Sequence, residues 1–181
     1  LERVALAKRR RALIPRAVGD VLEIGVGTGA NLPYYDWSAL TTLSLLDLSL
    51  AESVRQFSPP NGTEIRLHEG RAEELPFAAD SFDTVVFTLV FCSVDDPERG
   101  LAQVRRVLRP GGTLLFIEHV RPSGRRQLAK IVDAVNPVWH SLSGECNINR
   151  DTVSFIRGAG FRLDRVADGG GGLLASGVAR A

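Results

Sequence analysis

The sequence predicts an α/β fold: a mainly parallel sheet covered by helices on both faces. Three observations carry this. Short apolar runs of strand length alternate with longer segments of helical periodicity. The first run, VLEI, ends in Gly25, Gly27 and Gly29, the mark of a buried strand entering a tight turn that opens a helix. The chain has 181 residues, the size of one domain, and a domain this long buries about 70% of the surface its unfolded form exposes.

Taken in order, residues 1–19 form an amino-terminal cap helix in which Lys8, Arg9, Arg10, Arg11 and Arg16 interleave with Leu6, Leu13 and Ile14. Such a basic amphipathic segment suits capping of the domain, the favoured role, and also peripheral contact with an anionic membrane surface. Strands are expected over 21–24, 43–46, 64–68, 84–87 and 113–119, with helical crossovers over 33–40, 50–57, 97–108 and 150–159. In the third crossover Leu101, Val104, Val107 and Leu108 share one face, and RPGG ends it because Pro110 cannot continue a helix and two glycines follow. The tail over 161–179 reads as two further strands joined by a glycine loop. There is no internal repeat and no linker, so residues 1–181 are expected to form a single domain.

Composition narrows the function classes. With 44% hydrophobic residues, 24% charged and a net charge of +1, the chain has neither a disordered profile nor bulk affinity for nucleic acid. Its two cysteines, Cys92 and Cys146, are too few for a disulfide framework, which points to a reducing, cytoplasmic setting. No apolar run approaches a membrane span and no signal-peptide pattern opens the sequence. The sequence contains no methionine, so residues upstream of Leu1 are expected.

The glycine turn discriminates among small-molecule sites. A phosphate loop requires Lys followed by Ser or Thr after its glycines, and neither is present. The dinucleotide pattern fits better, since Gly25, Gly27 and Ala30 satisfy GxGxxG/A and Asp47 follows about 20 residues on. Glu23 argues against a pyrophosphate, because a carboxylate at the strand end repels phosphate but tolerates a cationic or amine-bearing ligand. No residues are left over for a separate hydride-acceptor domain. A nucleoside without phosphates fits this turn.

VLEIGVGTG, LLDLS, GRAEELPFAADSFDTVV and VRRVLRPGGTLLFIE, in that order and spacing, resemble the successive motifs of class I S-adenosylmethionine-dependent methyltransferases of the type 11 domain. GTGANLPYY, the stretch from TLVFCSVDDPERG to LLFIEHV, and NPVWHSLSGECNINRDT further resemble the small thiol S-methyltransferases related to the animal methyltransferase-like 7 proteins. The resemblance implies a Rossmann-like sheet of seven strands, order 3-2-1-4-5-7-6, with strand 7 antiparallel. It implies S-adenosylmethionine as cofactor, with S-adenosylhomocysteine as product, and a small-molecule acceptor. A phospholipid amine, a quinone carbon and a catalytically silent binding role are the alternatives. The animal proteins carry an amino-terminal membrane anchor that this sequence does not contain, and nothing in it fixes an oligomeric state.

Carried over residue by residue, the resemblance places Gly25 and Gly27 against the methionine and ribose of the cofactor, with Glu23 and Thr28 organising that end. Asp47 becomes the ribose ligand, since a carboxylate accepts from both vicinal hydroxyls. The family often has Asp where Arg71 stands in GRAE, so the backbone of Ala72 and the side chain of Glu73 are the expected adenine contacts; a surface salt bridge is the other role for Glu73. Thr88 is expected at the sulfonium. The sulfonium is already an activated methyl donor, so alignment and desolvation supply most of the acceleration, and no catalytic residue is assigned. Arg121, Arg125, Arg126 and Lys130 are candidates for a field that favours a thiolate, or for a plain solvated charge run. Residues 120–160, with Trp139 and Leu142, are the expected acceptor-site lid. His119, His140, Cys92 and Cys146 match no zinc spacing, so no metal is expected.

Overall fold

A computed structural model describes residues 2–142 and 146–181. Seven strands form one sheet in the order β3-β2-β1-β4-β5-β7-β6. They are β1 (Gly19–Ile24), β2 (Leu40–Asp47), β3 (Glu64–Glu69), β4 (Phe82–Thr88), β5 (Leu108–His119), β6 (Arg162–Gly169) and β7 (Leu174–Arg180). The first five run parallel to one another, while β7 pairs antiparallel with both β5 and β6. The expected order and the antiparallel seventh strand are both present.

The central strands read as continuous apolar runs because both faces of the sheet are covered. Successive side chains alternate between two cores. Leu22, Val85, Phe87, Leu114 and Phe116 face one, with Leu101 and Val104 of α3 (Pro97–Val107) and Ile156 of α5 (Thr152–Gly158). Val21, Val86, Leu115 and Ile117 face the other, with Leu6 and Leu13 of α1 (Glu2–Leu13) and Val54 of α2 (Glu52–Arg55). The last helix in this set, α4 (Arg126–Leu142), buries Ala129 and Val132.

Local chemistry sets the helix starts. The Asp96 carboxylate accepts from Arg99 N at 2.9 Å with Pro97 in the first turn, and Asp151 accepts from Ser154 N at 3.1 Å.

Several expectations shift. The glycine turn does not open a helix: two short 3-10 turns, Leu32–Tyr34 and Trp37–Ala39, fill the space where a helix over 33–40 was expected. Gly25, Gly27 and Gly29 all have positive φ, so the backbone from the strand stays outside helical space, and Pro33 then starts a turn too short to extend. The amino-terminal helix stops at Leu13 and gives way to a 3-10 turn over Ile14–Arg16 before β1. Helix α3 ends at Val107, just before RPGG, but the next strand starts earlier than residue 113. Strand β5 begins at Leu108 and runs through RPGG, with Arg109 fastened to Asp20 at 3.0 Å and to Asp83 at 2.5 Å. Much of the expected lid is the 17-residue helix α4, which carries Trp139 and Leu142; its neighbours Ser143 to Glu145 lie outside the described residues. No helix among the described residues is long and apolar enough to cross a membrane.

Candidate functional site

The carboxyl ends of β1, β2 and β4, with the loop after β3, open onto a cleft of about 500 Å³. Chain connectivity reverses direction here, because β1 lies between β2 and β4, and ligands of open α/β sheets bind at such a switch point. Glu23, Gly25, Gly27, Thr28, Asp47, Ala72, Glu73 and Thr88 all line the cleft, as does Arg71.

The floor is the glycine turn. Gly25 N donates to Leu46 O at 2.7 Å, which ties the turn to β2. A Cβ on Gly25 would lie 2.3 Å from Val90 Cγ2, and its φ of +69° already favours glycine. Gly27 has φ +54° and open space where its Cβ would be, so its backbone is bare to the cleft. Asp47 closes the end of β2: Oδ2 accepts from Gly27 N at 2.8 Å and Oδ1 from Ser49 N at 3.4 Å. Each oxygen keeps further acceptor capacity toward the cleft.

Glu23 is buried at the end of β1, and burial pushes its pKa up to about 7 against hydrogen bonds that oppose the shift. Tyr35 Oη donates to Oε2 at 2.6 Å and Asn31 Nδ2 to Oε1 at 3.0 Å. Asn31 is a hub: Nδ2 also reaches Thr88 Oγ1 at 3.1 Å, and Oδ1 accepts from Arg10 Nε at 2.9 Å. Glu23 therefore orders this end of the cleft through partners. Asn31, Tyr35 and Arg10 were not singled out in the sequence as site residues, and Arg10 reaches the cleft from α1, where it was read only as part of a charge cluster.

At the other end, Glu73 is buried and accepts from Arg71 Nη2 at 3.4 Å and from Asp96 N at 3.5 Å, while Arg71 also pairs with Asp95. Glu73 thus lines the cleft and makes a salt bridge with Arg71.

A second buried carboxylate, Glu118 at the end of β5, holds the loop after β4. Its oxygens accept from Val90 N at 2.8 Å, Phe91 N at 3.0 Å and Cys92 N at 2.9 Å, and burial raises its pKa to about 7. The loop is clamped from outside as well, by Asn147 N donating to Cys92 O at 2.8 Å and by Arg150 Nη1 donating to Phe91 O at 2.7 Å and Val94 O at 2.5 Å. A charged residue after the apolar run LLFI was the one available sign of Glu118; no sequence pattern marked Arg150.

The spacing argument against a cluster of cysteine and histidine does not survive folding. Cys92, His119 and Cys146 come from three separate segments, and their ligand atoms lie within 4.8 Å of one another, with Cys146 Sγ 3.3 Å from His119 Nδ1. His140 is not a member of this group. The hydrogen bond between the thiols drives Cys92 upward and Cys146 down to about 5, with His119 adding to the latter. Trp139 packs edge-on against His119 with ring centroids 6.5 Å apart. Two members of the basic run are engaged: Arg121 pairs with Asp133 at 2.8 Å, and Arg125 donates to Gly171 O at 3.2 Å.

Comparisons with known proteins agree with this geometry. The human thiol S-methyltransferase TMT1A is 36% identical over 152 residues, 78% of this chain and 59% of that protein, so the chain spans well under two thirds of that relative. Phosphatidylethanolamine N-methyltransferase of Cereibacter sphaeroides is 34% identical over 151 residues, 77% of this chain and 72% of the relative. A crystal structure of an S-adenosylmethionine-dependent methyltransferase from Mesorhizobium loti shares the fold with a TM-score of 0.72 at 19% identity, covering 95% of both chains. The family described as "Methyltransferase domain" matches residues 22–116, from the strand that enters the glycine turn to the one that carries Glu118 at its end. With that span and the cleft at its switch point, this chain belongs to the methyltransferase domain family.

Proposed function

We propose that the chain binds S-adenosylmethionine in the cleft and transfers its methyl group to the sulfur of a small, largely apolar thiol. The observation that carries the cofactor half is Asp47, a carboxylate with spare acceptor capacity beside the bare backbone of Gly27, in a cleft without phosphate-loop lysine. In this reading Asp47 takes the ribose hydroxyls, Ala72 and Glu73 border the adenine, and Thr88 stands at the sulfonium. Glu23 acts through Asn31 and Tyr35, and Arg10 faces the carboxylate of the methionine moiety.

Two features support a thiol acceptor. The buried carboxylates nearest the transfer end, Glu23 and Glu118, are both committed to hydrogen bonds, so neither is a free base for a protonated amine, whereas a thiol of pKa about 8.5 is partly ionised near neutrality and intrinsically nucleophilic. Helix α4 also turns an apolar face of Ile131, Val135, Val138 and Leu142 to the outside, next to Trp139 on His119. Methylation of a phospholipid amine is the second reading, favoured by the 72% coverage of the Cereibacter relative.

Transfer of labelled methyl is to be followed against alkyl and aryl thiols, phosphatidylethanolamine vesicles and quinone precursors over about pH 6 to 9. Thiol labelling that rises with the thiolate fraction is expected. Labelled lipid or quinone with unmodified thiols overturns the acceptor, and cofactor binding without transfer to any of them leaves a binding protein.

A further inference from the structure

We infer that Cys92, His119 and Cys146 form a zinc site beside the cofactor cleft, with three protein ligands and a fourth position open to the sulfur of the acceptor. The metal half stands on geometry alone; the substrate half rests on the thiol-transfer reading above.

A tetrahedral zinc with Zn–S near 2.3 Å and Zn–N near 2.1 Å sets ligand-to-ligand edges of roughly 3.5 to 3.8 Å. The three ligand atoms here fall within 4.8 Å, and Cys146 Sγ lies 3.3 Å from His119 Nδ1, so the metal needs adjustments of at most about 1 Å. Two thiols and an imidazole, with no carboxylate in the group, are the donor set that selects a borderline-soft ion over magnesium or calcium. Both sulfurs are buried, Cys92 at 1% and Cys146 at 7% exposure.

The ligands are also held in advance. Glu118 grips the backbone of Cys92, and Asn147 N donates to Cys92 O, which fixes the segment of Cys146 against the loop of Cys92. Closed structural zinc sites have four protein ligands, whereas a three-ligand site keeps a position for water or substrate. The position of the cluster gives that vacancy a use. Cys92 Sγ is 3.7 Å from Ser93 Oγ, and Ser93, like Thr88, lines the cofactor cleft.

An acceptor thiol entering there loses its proton to solvent and binds the metal as thiolate in place of water. A sulfur lone pair then forms the new S–CH3 bond while the methyl–sulfonium bond breaks, and its electron pair stays on the cofactor sulfur as a neutral thioether. The methylated product is itself a neutral thioether, a weak zinc ligand, and water replaces it.

The test uses tag-free protein purified with a thiol-free reductant. Elemental analysis is expected to give about one zinc per chain. Cys92→Ser, Cys146→Ser and His119→Gln should each lower that at least tenfold, while calorimetry with S-adenosylhomocysteine reports whether each variant keeps a folded cleft. Reconstitution with cobalt(II) should give thiolate-to-cobalt charge-transfer absorption that shifts on adding phenylmethanethiol and not benzyl alcohol. Failure to take up zinc or cobalt by protein that still binds the cofactor product overturns the site, as does a Cys92–Cys146 disulfide in the reduced preparation. A cobalt spectrum indifferent to thiols overturns the substrate half. Absence of cofactor binding in protein that holds zinc instead counts against the methyltransferase reading, and the two failures are thus separable.

Discussion

The residues that line the cleft differ in what they contribute, and substitutions separate them. Asp47 is half-buried at the strand end and belongs to neither core, so Asp47→Ala should leave the melting temperature within a degree or two. It should weaken S-adenosylmethionine by about 1.5–3 kcal/mol, the scale of a lost charged hydrogen-bond partner. Unchanged affinity by calorimetry would make Asp47 structural. The two glycines diverge in the opposite sense. Gly25→Ala meets Val90 at 2.3 Å on a positive-φ backbone and should destabilise the fold by about 2–4 kcal/mol, read as a lowered midpoint of denaturation. Gly27→Ala meets nothing within 4 Å, so it should cost only the roughly 1–2 kcal/mol of an alanine held at its φ of +54°, and its methyl, entering the open cleft, should weaken the ligand besides. Glu23 supplies a pH effect whose sign is fixed. Its pKa is raised from 4.5 to about 7 by burial, so the folded state binds the extra proton between those values; this contribution is fully present below 4.5 and is lost as pH rises through 7. Tyr35, Asn31, Arg10 and Asp47 are the groups that face it. Comparison with Glu23→Gln isolates that one proton: the variant's stability should decline less steeply with pH across the window, by up to about 1.4 kcal/mol per unit. Identical slopes would place the carboxylate as ionised throughout.

At the scale of elements, α4 is the segment whose role is least bound to the core. Ile131, Val135, Val138 and Leu142 repeat at i, i+4, i+7 and i+11, one helical stripe left outside, with Leu142 82% exposed. Val138→Ser with Leu142→Ser should shift stability by less than about 0.5 kcal/mol per site, as surface changes do, yet raise KM several-fold for apolar thiols with kcat nearly unchanged. Equal KM values in variant and parent would remove α4 from the acceptor site. The sheet itself was legible in the sequence because burial on both faces leaves unbroken apolar runs such as TVVF and LLFI, flanked by turn residues. The crossover after the glycine turn was not, since three positive-φ glycines and Pro33 override the helical periodicity that follows. Of the site, the residues on strand ends and in the glycine turn were readable from local pattern. Asn31, Tyr35, Arg10 and Glu118 were not, because what they do is set by partners far along the chain: Arg10 meets Asn31, and Glu118 meets the backbone of Val90 to Cys92. The cysteine–histidine group fails the spacing test for the same reason, as the topology and not the sequence interval brings β4, β5 and the segment after α4 together.

For the molecule as a whole, the cleft couples ligand binding to global stability. Its walls come from the turn after β1, the ends of β2 and β4, the loop after β3 and Arg10 of α1, so a ligand there links elements spread from the amino-terminal helix to the middle of the sheet. A ligand that binds only the folded state adds about 2.7 kcal/mol at a concentration 100 times its Kd, and for a chain of this size that raises the melting temperature by roughly 5–10 °C. S-adenosylmethionine and S-adenosylhomocysteine should both produce such a shift. NAD at the same concentration should not, because the glycine turn opens no helix whose amino terminus could hold its pyrophosphate. In Asp47→Ala the shift with S-adenosylmethionine should shrink while the ligand-free midpoint stays in place, which distinguishes a lost contact from a damaged fold. A shift with NAD that matches or exceeds that with S-adenosylmethionine would mean that the turn holds a dinucleotide after all. The family's sheet would then be serving a different ligand, because the architecture fixes where a ligand binds and the side chains around Gly27 fix which one.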